Sequence, residues 1–320
     1  LNDLLPKLGP EKSAPFVPTL VKILKDSHVE SGTRMYAAIV LGRIKAVPNV
    51  ELWCALESAR SEKDYWLKVA ATWAWCELGR YDELGLVKVP AGEFLMGSDE
   101  NDNERPQHTI YLSAFYIGKH PVTVAQYRSF ADSGYKISDE DSLKGIDNHP
   151  VAYVSWHDAV KFAEWHGMTL PSEAQWEKAA RGTDGRIYPW GNKWENGLAN
   201  TAEYWSSGAR GLWTKLRRQN VVVTTPVGYF SPRGDSPYGC ADMCGNVGEW
   251  TSTIYKEYPY RADDGRENIK ADGIHVLRGG SFLNSRWIAR CAFRGEVIPV
   301  YFDVYAGFRV CVSPILKSEL

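Results

Sequence analysis

The sequence predicts an α+β protein, with a small all-helical segment followed by a larger region of short strands, loops and few helices. Apolar residues recur at helical spacing through residues 1–83, and this pattern stops at Glu83-Leu84-Gly85. Beyond this point the apolar runs are short and are separated by Gly, Pro and Asn. The 320 residues include 13 Trp and 17 Tyr, an unusually aromatic composition whose side chains can bury a large area.

Four amphipathic helices are predicted in the first 83 residues. They cover residues 15–24, 36–44, 50–59 and 66–75. These form two helix pairs, each with an Ala-rich helix followed by Leu-Gly, and they resemble HEAT-type repeats. Because each repeat buries its apolar face only on a neighbour, two repeats are few for an independent solenoid. The segment therefore either continues an upstream domain of the same chain or packs on the region that follows.

Strands and three helices are predicted in the first half of the larger region. The strands lie within residues 87–98, 108–112 and 115–117. The helices cover residues 124–132, residues 156–166 and the residues from 173 onward. Thr123 and Ser155 are the expected N-caps of the first two, and Pro171 and Ser172 begin a capping-box-like turn before the third.

Charge and hydropathy argue against two classes of partner. The formal net charge is −2, and the short basic run Lys215-Leu216-Arg217-Arg218 is typical of a solvated loop, so we expect no nucleic-acid partner. No window approaches the ~18 consecutive apolar residues of a membrane span. No signal peptide opens the chain, but residue 1 is Leu rather than Met, so this says little about what precedes it.

The six cysteines match no compact disulfide framework. Cys240 and Cys244 are one residue farther apart than in the usual zinc knuckle, and no Cys or His pair completes the set. We therefore expect no zinc. Reduced, partly buried thiols are typical of a cytoplasmic protein, and we expect that localisation.

Residues 278–310 combine two core-like ends with an irregular middle. Arg278-Gly279-Gly280-Ser281 and Gly307-Phe308-Arg309 have the glycines of close-packed backbone and arginines that need partners if buried. The side chains between them, including Phe302, follow neither a helical nor a strand period, which is typical of a binding surface. An idiosyncratic core loop is the alternative, although so many apolar residues without a period are hard to bury.

An ordered set of motifs resembles the formylglycine-generating enzyme family. They include Val89-Pro90-Ala91-Gly92-Glu93-Phe94, Pro121-Val122-Thr123, Leu170-Pro171, Tyr188-Pro189-Trp190-Gly191-Asn192, Gly245-Asn246-Val247 and Arg278-Gly279-Gly280-Ser281. The resemblance covers about residues 87–314. It implies an irregular variant of the C-type lectin fold, which would follow the helical segment 1–83 as a second domain.

The resemblance also bears on catalysis. Enzymes of the family convert a sulfatase cysteine to formylglycine with copper held by two cysteines. The first of these positions is Asn284 here, and residues 285–289 contain no cysteine. Asparagine cannot replace the soft thiolate that copper(I) requires, so we expect no enzyme activity. Related sulfoxide synthases need an iron-binding histidine set, and the histidines here lack that spacing.

A structural calcium site is a further implication of the resemblance. The family spacing of its oxygen ligands falls on Asp242, Gly245, Val247 and Glu249. Glu249 can instead pair with a buried arginine such as Arg278 or Arg309. A second calcium site is incomplete, because no aspartate follows Asn200 and Thr201 before Val221, and residues 205–220 have the character of an insertion.

The C-terminal segment resembles the variable region of diversity-generating retroelement proteins, in which adenine-directed mutagenesis changes mostly asparagine codons of a template. Most of its irregular residues are reachable from such a codon, whereas Trp287 and Glu296 are not. The resemblance predicts a non-enzymatic binding protein for an unknown ligand, expected to be a protein; an oxidase of the formylglycine type, or a regulatory relative of it, is the alternative. The candidate ligand-binding positions are Leu283, Asn284, Ser285, Trp287, Ile288, Gly295, Glu296, Val297, Ile298, Val300, Tyr301, Asp303, Val304, Tyr305 and Ala306.

Overall fold

Helices and short strands are both present in the computed structural model, which describes residues 5–206 and 224–313. The predicted α+β class is confirmed. The chain divides into two compact units. The first contains the chain up to Leu86, residues 163–169 and the chain from Val312, and the second contains Val87–Phe162 and Leu170–Cys311. The independent folding of the predicted domains, 1–83 and 87–314, remains a prediction.

The first unit contains five helices among its described residues. They are α1 Leu5–Ser13, α2 Val17–Lys25, α3 Ser31–Arg43, α4 Val50–Arg60 and α5 Tyr65–Trp75. The side chains of Asn49 and Asp64 accept hydrogen bonds from the N–H groups of Leu52 and Leu67, and so cap α4 and α5. Helix α3 packs against α2 and α5, which buries its Ala-rich face. The likeness to HEAT repeats remains a prediction.

Three helices that begin in the second unit follow the predicted capping residues Thr123, Ser155 and Ser172. They are α6 Val124–Asp132, α7 Trp156–Trp165 and α8 Glu173–Arg181. The short helix α9 Ala202–Ser206 was not predicted. Capping boxes form between Thr123 and Gln126 and between Ser172 and Gln175, which fixes where α6 and α8 start. The predicted insertion at residues 205–220 lies almost entirely outside the described residues.

Nine short strands form three small sheets. The strands are β1 Leu86–Val89, β2 Gly92–Met96, β3 His108–Leu112, β4 Phe115–Gly118, β5 Gly248–Ile254, β6 His275–Arg278, β7 Gly295–Val297, β8 Ala306–Phe308 and β9 Cys311–Val312 among the described residues. The sheets have the strand orders β1-β4-β9, β2-β3 and β7-β6-β5-β8. Strands β7 and β8 belong to the C-terminal segment, residues 278–310, and β6 ends at its first residue, Arg278. The segment therefore supplies both edge strands of the largest sheet.

Aromatic side chains join the loops to the largest sheet. Trp250 of β5 is fully buried and its Nε1 donates to the carbonyl of Val154, 2.8 Å away, in the loop before α7. Phe308 of β8 packs edge-on against Tyr127 and Phe162, with ring centroids 6.3 and 5.2 Å apart. Buried aromatic area therefore supports the sheet at a place where α6 and α7 meet it.

Candidate ligand-binding site

Arg278, the last residue of β6, is fully buried and binds the backbone of the C-terminal segment. Its Nη1 donates to the carbonyls of Ala292 and Phe293, at 2.9 and 2.6 Å, and its Nη2 donates to the carbonyl of Cys291 at 2.9 Å. One side chain thus fixes three consecutive residues that lie between the two parts of the candidate site.

Two carboxylates of α8 balance the charge of Arg278 and of two further buried arginines. Glu177 accepts from Arg278 and, at 2.7 Å, from Arg181. Glu173, one turn earlier, accepts from Arg294 at 2.5 and 2.9 Å. Burial alone would lower the pKa of Arg278, but the adjacent Glu177 and Glu173 offset it and raise this pKa above its ordinary value. Because all five side chains are buried, this network holds the C-terminal segment against α8.

A separate buried pair fixes the backbone of Trp287. Arg290 donates to both carboxylate oxygens of Glu104, at 2.9 and 2.7 Å, and its Nε donates to the carbonyl of Trp287 at 2.9 Å. Burial raises the pKa of Glu104, but hydrogen bonds from Arg290, Ser98 and Asn101 outweigh it and lower this pKa overall. The backbone of Trp287 is therefore fixed, although its side chain is 57% exposed.

The first group of candidate positions, which we name the first face, is the turn at residues 283–288. The carbonyl of Asn284 accepts from the N–H of Ala202 at 2.9 Å, and the carboxylate of Glu203 accepts from the N–H of Arg286 at 3.0 and 3.1 Å. Leu283 is 55% exposed, like Trp287. The turn is thus held from behind by α9 and presents two large apolar side chains to solvent.

The second group, which we name the second face, is formed by residues 295–305. Its backbone is held by the loop before α7, because the carbonyls of Pro299 and Asp303 accept from the N–H groups of Trp156 and Tyr153, at 3.1 and 2.9 Å. Ile298 and Val300 are 53% and 62% exposed. The two faces are therefore held by different elements of the fold.

Three polar side chains of the second face form one hydrogen-bonded set. The hydroxyl of Tyr301 donates to the carboxylate of Asp303, 2.6 Å away, and lies 2.9 Å from the hydroxyl of Tyr305. These hydrogen bonds, first the one to Asp303, raise the pKa of Tyr301, so its hydroxyl stays protonated at neutral pH.

The candidate positions differ in how far their side chains are exposed to solvent. All of them except Ala306 are exposed or half-buried. Ala306 is wrong as a contact position, because it is fully buried in β8, where its methyl group cannot reach a ligand. Asn284 is half-buried, and its Oδ1 accepts from the N–H and hydroxyl of Ser281, so its side chain closes the turn. Val297 and Tyr305 pack partly against the hydrophobic core.

Three other residues of the site, Phe302, Glu104 and Glu203, were not among the candidate positions. Phe302 is 40% exposed in the second face, and its place in the irregular run was the available signal. Glu104 and Glu203 hold the first face, but they lie more than 80 residues before it, and no spacing pattern marks such pairs.

The side chains present do not fit a copper site of the formylglycine type. Asn284 occupies the first ligand position, and Cys291 is fully buried, where burial raises the pKa of its thiol to about 12. Burial likewise raises the pKa of Cys240 to about 11. A protonated, buried thiol is a poor ligand for a metal, which binds thiolate.

The two carboxylates expected as calcium ligands, Glu249 and Asp242, differ in their surroundings. Both carboxylate oxygens of Glu249 accept from Arg309, at 2.5 and 2.6 Å, and one also accepts from Trp176 at 2.7 Å. Asp242 is nearly buried, and burial raises its pKa to about 6, although its carboxylate accepts from the N–H of Gly228. A cation beside Asp242 would favour its ionised form, so Asp242 fits a calcium ligand, whereas Glu249 is already paired. Calcium binding remains a prediction.

The described residues contain no clustered metal ligands and no membrane-spanning helix. No three or more His, Cys, Asp or Glu side chains are grouped there as metal ligands. No helix in this part of the chain is long and apolar enough to cross a membrane.

Comparison with known families decides the relationship. A sulfatase-modifying factor enzyme 1-like domain matches residues 78–314. The chain belongs to this family. Within the sulfatase-modifying factor family, it is 33% identical over 307 residues to the formylglycine-generating enzyme of Mycobacterium tuberculosis, covering 72% of this chain and 98% of that protein. It is 29% identical over 284 residues to the uncharacterized protein YfmG of Bacillus subtilis, covering 75% of this chain but 56% of YfmG.

A solved structure is similar to this family member in fold. Treponema denticola variable protein 1 superposes with a TM-score of 0.54 at 20% identity, covering 71% of this chain and 94% of that one. The predicted fold, a helical segment followed by an irregular domain of the formylglycine-generating enzyme and C-type lectin type, is confirmed.

Proposed function

We propose that this chain is a ligand-binding protein without enzyme activity, and that the first and second faces contact its ligand. The observation that carries the proposal is the contrast between backbone and side chains. The backbone is held by the buried arginines Arg278 and Arg290, whereas Leu283, Trp287 and Val300 are more than half exposed. A fixed backbone with exposed, exchangeable side chains is how paratopes are built.

The exposed residues suit a protein ligand. The exposed Trp287 and the half-buried Tyr301 provide aromatic contact area with few rotatable bonds, which lowers the entropy lost on binding. Leu283, Ile298 and Val300 add apolar area that water contacts in the free protein. We therefore propose a protein as the ligand and, from the buried free thiols, the cytoplasm as the compartment.

We further propose that the exposed positions are diversified between copies of the gene. Support comes from the amino acids of the irregular segment, most of which are reachable from an asparagine codon, and from the similarity in fold to a protein named for its variability. The positions kept as frame, such as Arg278, Arg290 and Phe308, are buried. Most positions reachable by adenine mutagenesis are half-buried, and three of them, Leu283, Ile298 and Val300, are exposed.

The second candidate function is a formylglycine-type oxidase or a regulatory relative. The similarity to the Mycobacterium tuberculosis enzyme over 98% of that protein favours it. Against the oxidase stands the donor set, because neither Asn284 nor the buried Cys291 offers copper a thiolate.

Two measurements test the proposal. The DNA beside the gene should contain a near-copy of codons 278–310 with adenines at the exposed positions, next to a reverse transcriptase gene. The full chain, supplied with copper and a sulfatase-derived cysteine peptide, should form no aldehyde, and the Asn284→Cys variant should also form none because it lacks a second thiolate. Aldehyde formation by the unmodified chain would establish the oxidase instead.

A further inference from the structure

Strand β7, Gly295–Val297, is an edge strand inside the second face. The order β7-β6-β5-β8 gives it a single neighbour, β6, within residues 5–206 and 224–313. In an antiparallel pair, the N–H and C=O groups of alternate residues point away from the partner. The outer side of β7 therefore carries backbone donors and acceptors that a further strand can use.

Side-chain exposure alternates from β7 onward. Glu296, Ile298, Val300 and Phe302 are exposed, and the residues between them are half-buried. Extending the β6–β7 register beyond the pair of His275 with Val297 places Ile274, 42% exposed, across from Ile298. Protection against aggregation accounts for a charge on an edge strand, but not for the three exposed apolar side chains that follow it.

The charge of the segment limits what can pair with it. Residues 295–306 contain Glu296 and Asp303 and no Lys or Arg. Glu296 is the central residue of β7, so antiparallel pairing with a second copy of this strand would place two glutamates opposite each other. Like charges at that position disfavour a homodimer and favour a basic partner.

We propose that β7 binds an extended segment of a partner protein as an added strand. The segment carries Lys or Arg opposite Glu296, and an apolar residue two positions away, on the same face, that contacts Ile298. This inference rests on the proposed function and adds the chemistry of the ligand: backbone hydrogen bonds supply affinity, and the alternating side chains supply specificity.

The test is selection of short random peptides against the full chain. Enriched peptides should alternate β-branched residues around one basic residue, and N-methylation of alternate backbone amides should abolish their binding. Glu296→Lys should lower the affinity of the chain for these peptides by at least about tenfold, because like charges would then be in contact. The matched control is Glu93→Lys, which makes the same charge change on an exposed residue of β2 and should leave affinity unchanged.

The outcomes separate this inference from the proposed function. Strand addition is refuted if the peptides still bind the Glu296→Lys variant and the N-methylated peptides still bind the unmodified chain. If those peptides lose binding in the Trp287→Ala variant, the proposed function stands and only the inference fails. A selection without any specific peptide overturns the inference, and the search for adenines beside the gene then decides the proposed function separately. Thermal melts confirm that each variant is folded, and Glu296→Gln replaces Glu296→Lys if the latter unfolds.

Discussion

Replacing Arg309 by methionine should destabilise the protein by about 5 kcal/mol. The change removes both hydrogen bonds to the fully buried Glu249 and leaves its carboxylate with Trp176 alone. Breaking a buried ion pair in this way costs about 3–5 kcal/mol. The carbonyls of Gly118 and Ala241 also lose a charged donor, which adds about 1 kcal/mol each at the lower limit for a buried acceptor.

The assay is urea unfolding of the full chain at pH 7.5 with EDTA, so that calcium cannot replace the lost cation. A second substitution, Glu249→Gln, removes the buried charge, so the double variant should recover about 3 kcal/mol of the loss, most of the ion-pair contribution. The reasoning is refuted if Arg309→Met costs less than about 1 kcal/mol, the centre of the distribution for single substitutions of all kinds. It is also refuted if the double variant is no more stable than the single one.

Three other predictions concern the faces, pH and calcium. A triple variant with Leu283→Ser, Trp287→Ser and Val300→Ser should lose at most about 0.5 kcal/mol of unfolding free energy for each substitution. Loss of its cooperative transition in a thermal melt would place these side chains in the core. Burial lowers the pKa of His275 from 6.5 to about 4. As the pH falls from 6.5 to 4, the unfolded chain therefore binds the proton before the folded chain does, and the stability of the fold decreases by up to about 3 kcal/mol. His275→Gln should flatten this part of a stability–pH curve, and an unchanged curve would contradict the assignment. Calcium should raise the melting temperature at pH 7.5, less so below pH 6 where Asp242 is protonated, and not at all in Asp242→Asn; an equal effect in that variant would place the ion elsewhere.

Local signals in the sequence were sufficient for much of the fold. The caps Thr123 and Ser172 and the strands before residue 118 follow from side-chain chemistry and spacing over a few residues. The later strands β7 and β8 could not be predicted, because they have three residues each, too few for a period of two to be distinguished.

The residues that hold the candidate site in place could not be predicted from the sequence either. Glu104 and Arg290 are 186 residues apart, and no spacing rule joins them. Ala306 is buried because it lies in β8, whereas the residues directly before it are half-buried, and a run without periodicity cannot mark that place. The turn made by Asn284 illustrates the same limit, because one residue type can either contact a ligand or hydrogen-bond its own backbone.

The hydrogen bonds among Tyr301, Asp303 and Tyr305 have a consequence for diversification. If these three positions vary independently, each new side chain changes the hydrogen-bonding environment of the other two. Epistasis within the second face would then make the number of distinct binding surfaces smaller than the number of sequences. The exposed positions of the first face, Leu283 and Trp287, share no such bond and would contribute to the repertoire nearly independently.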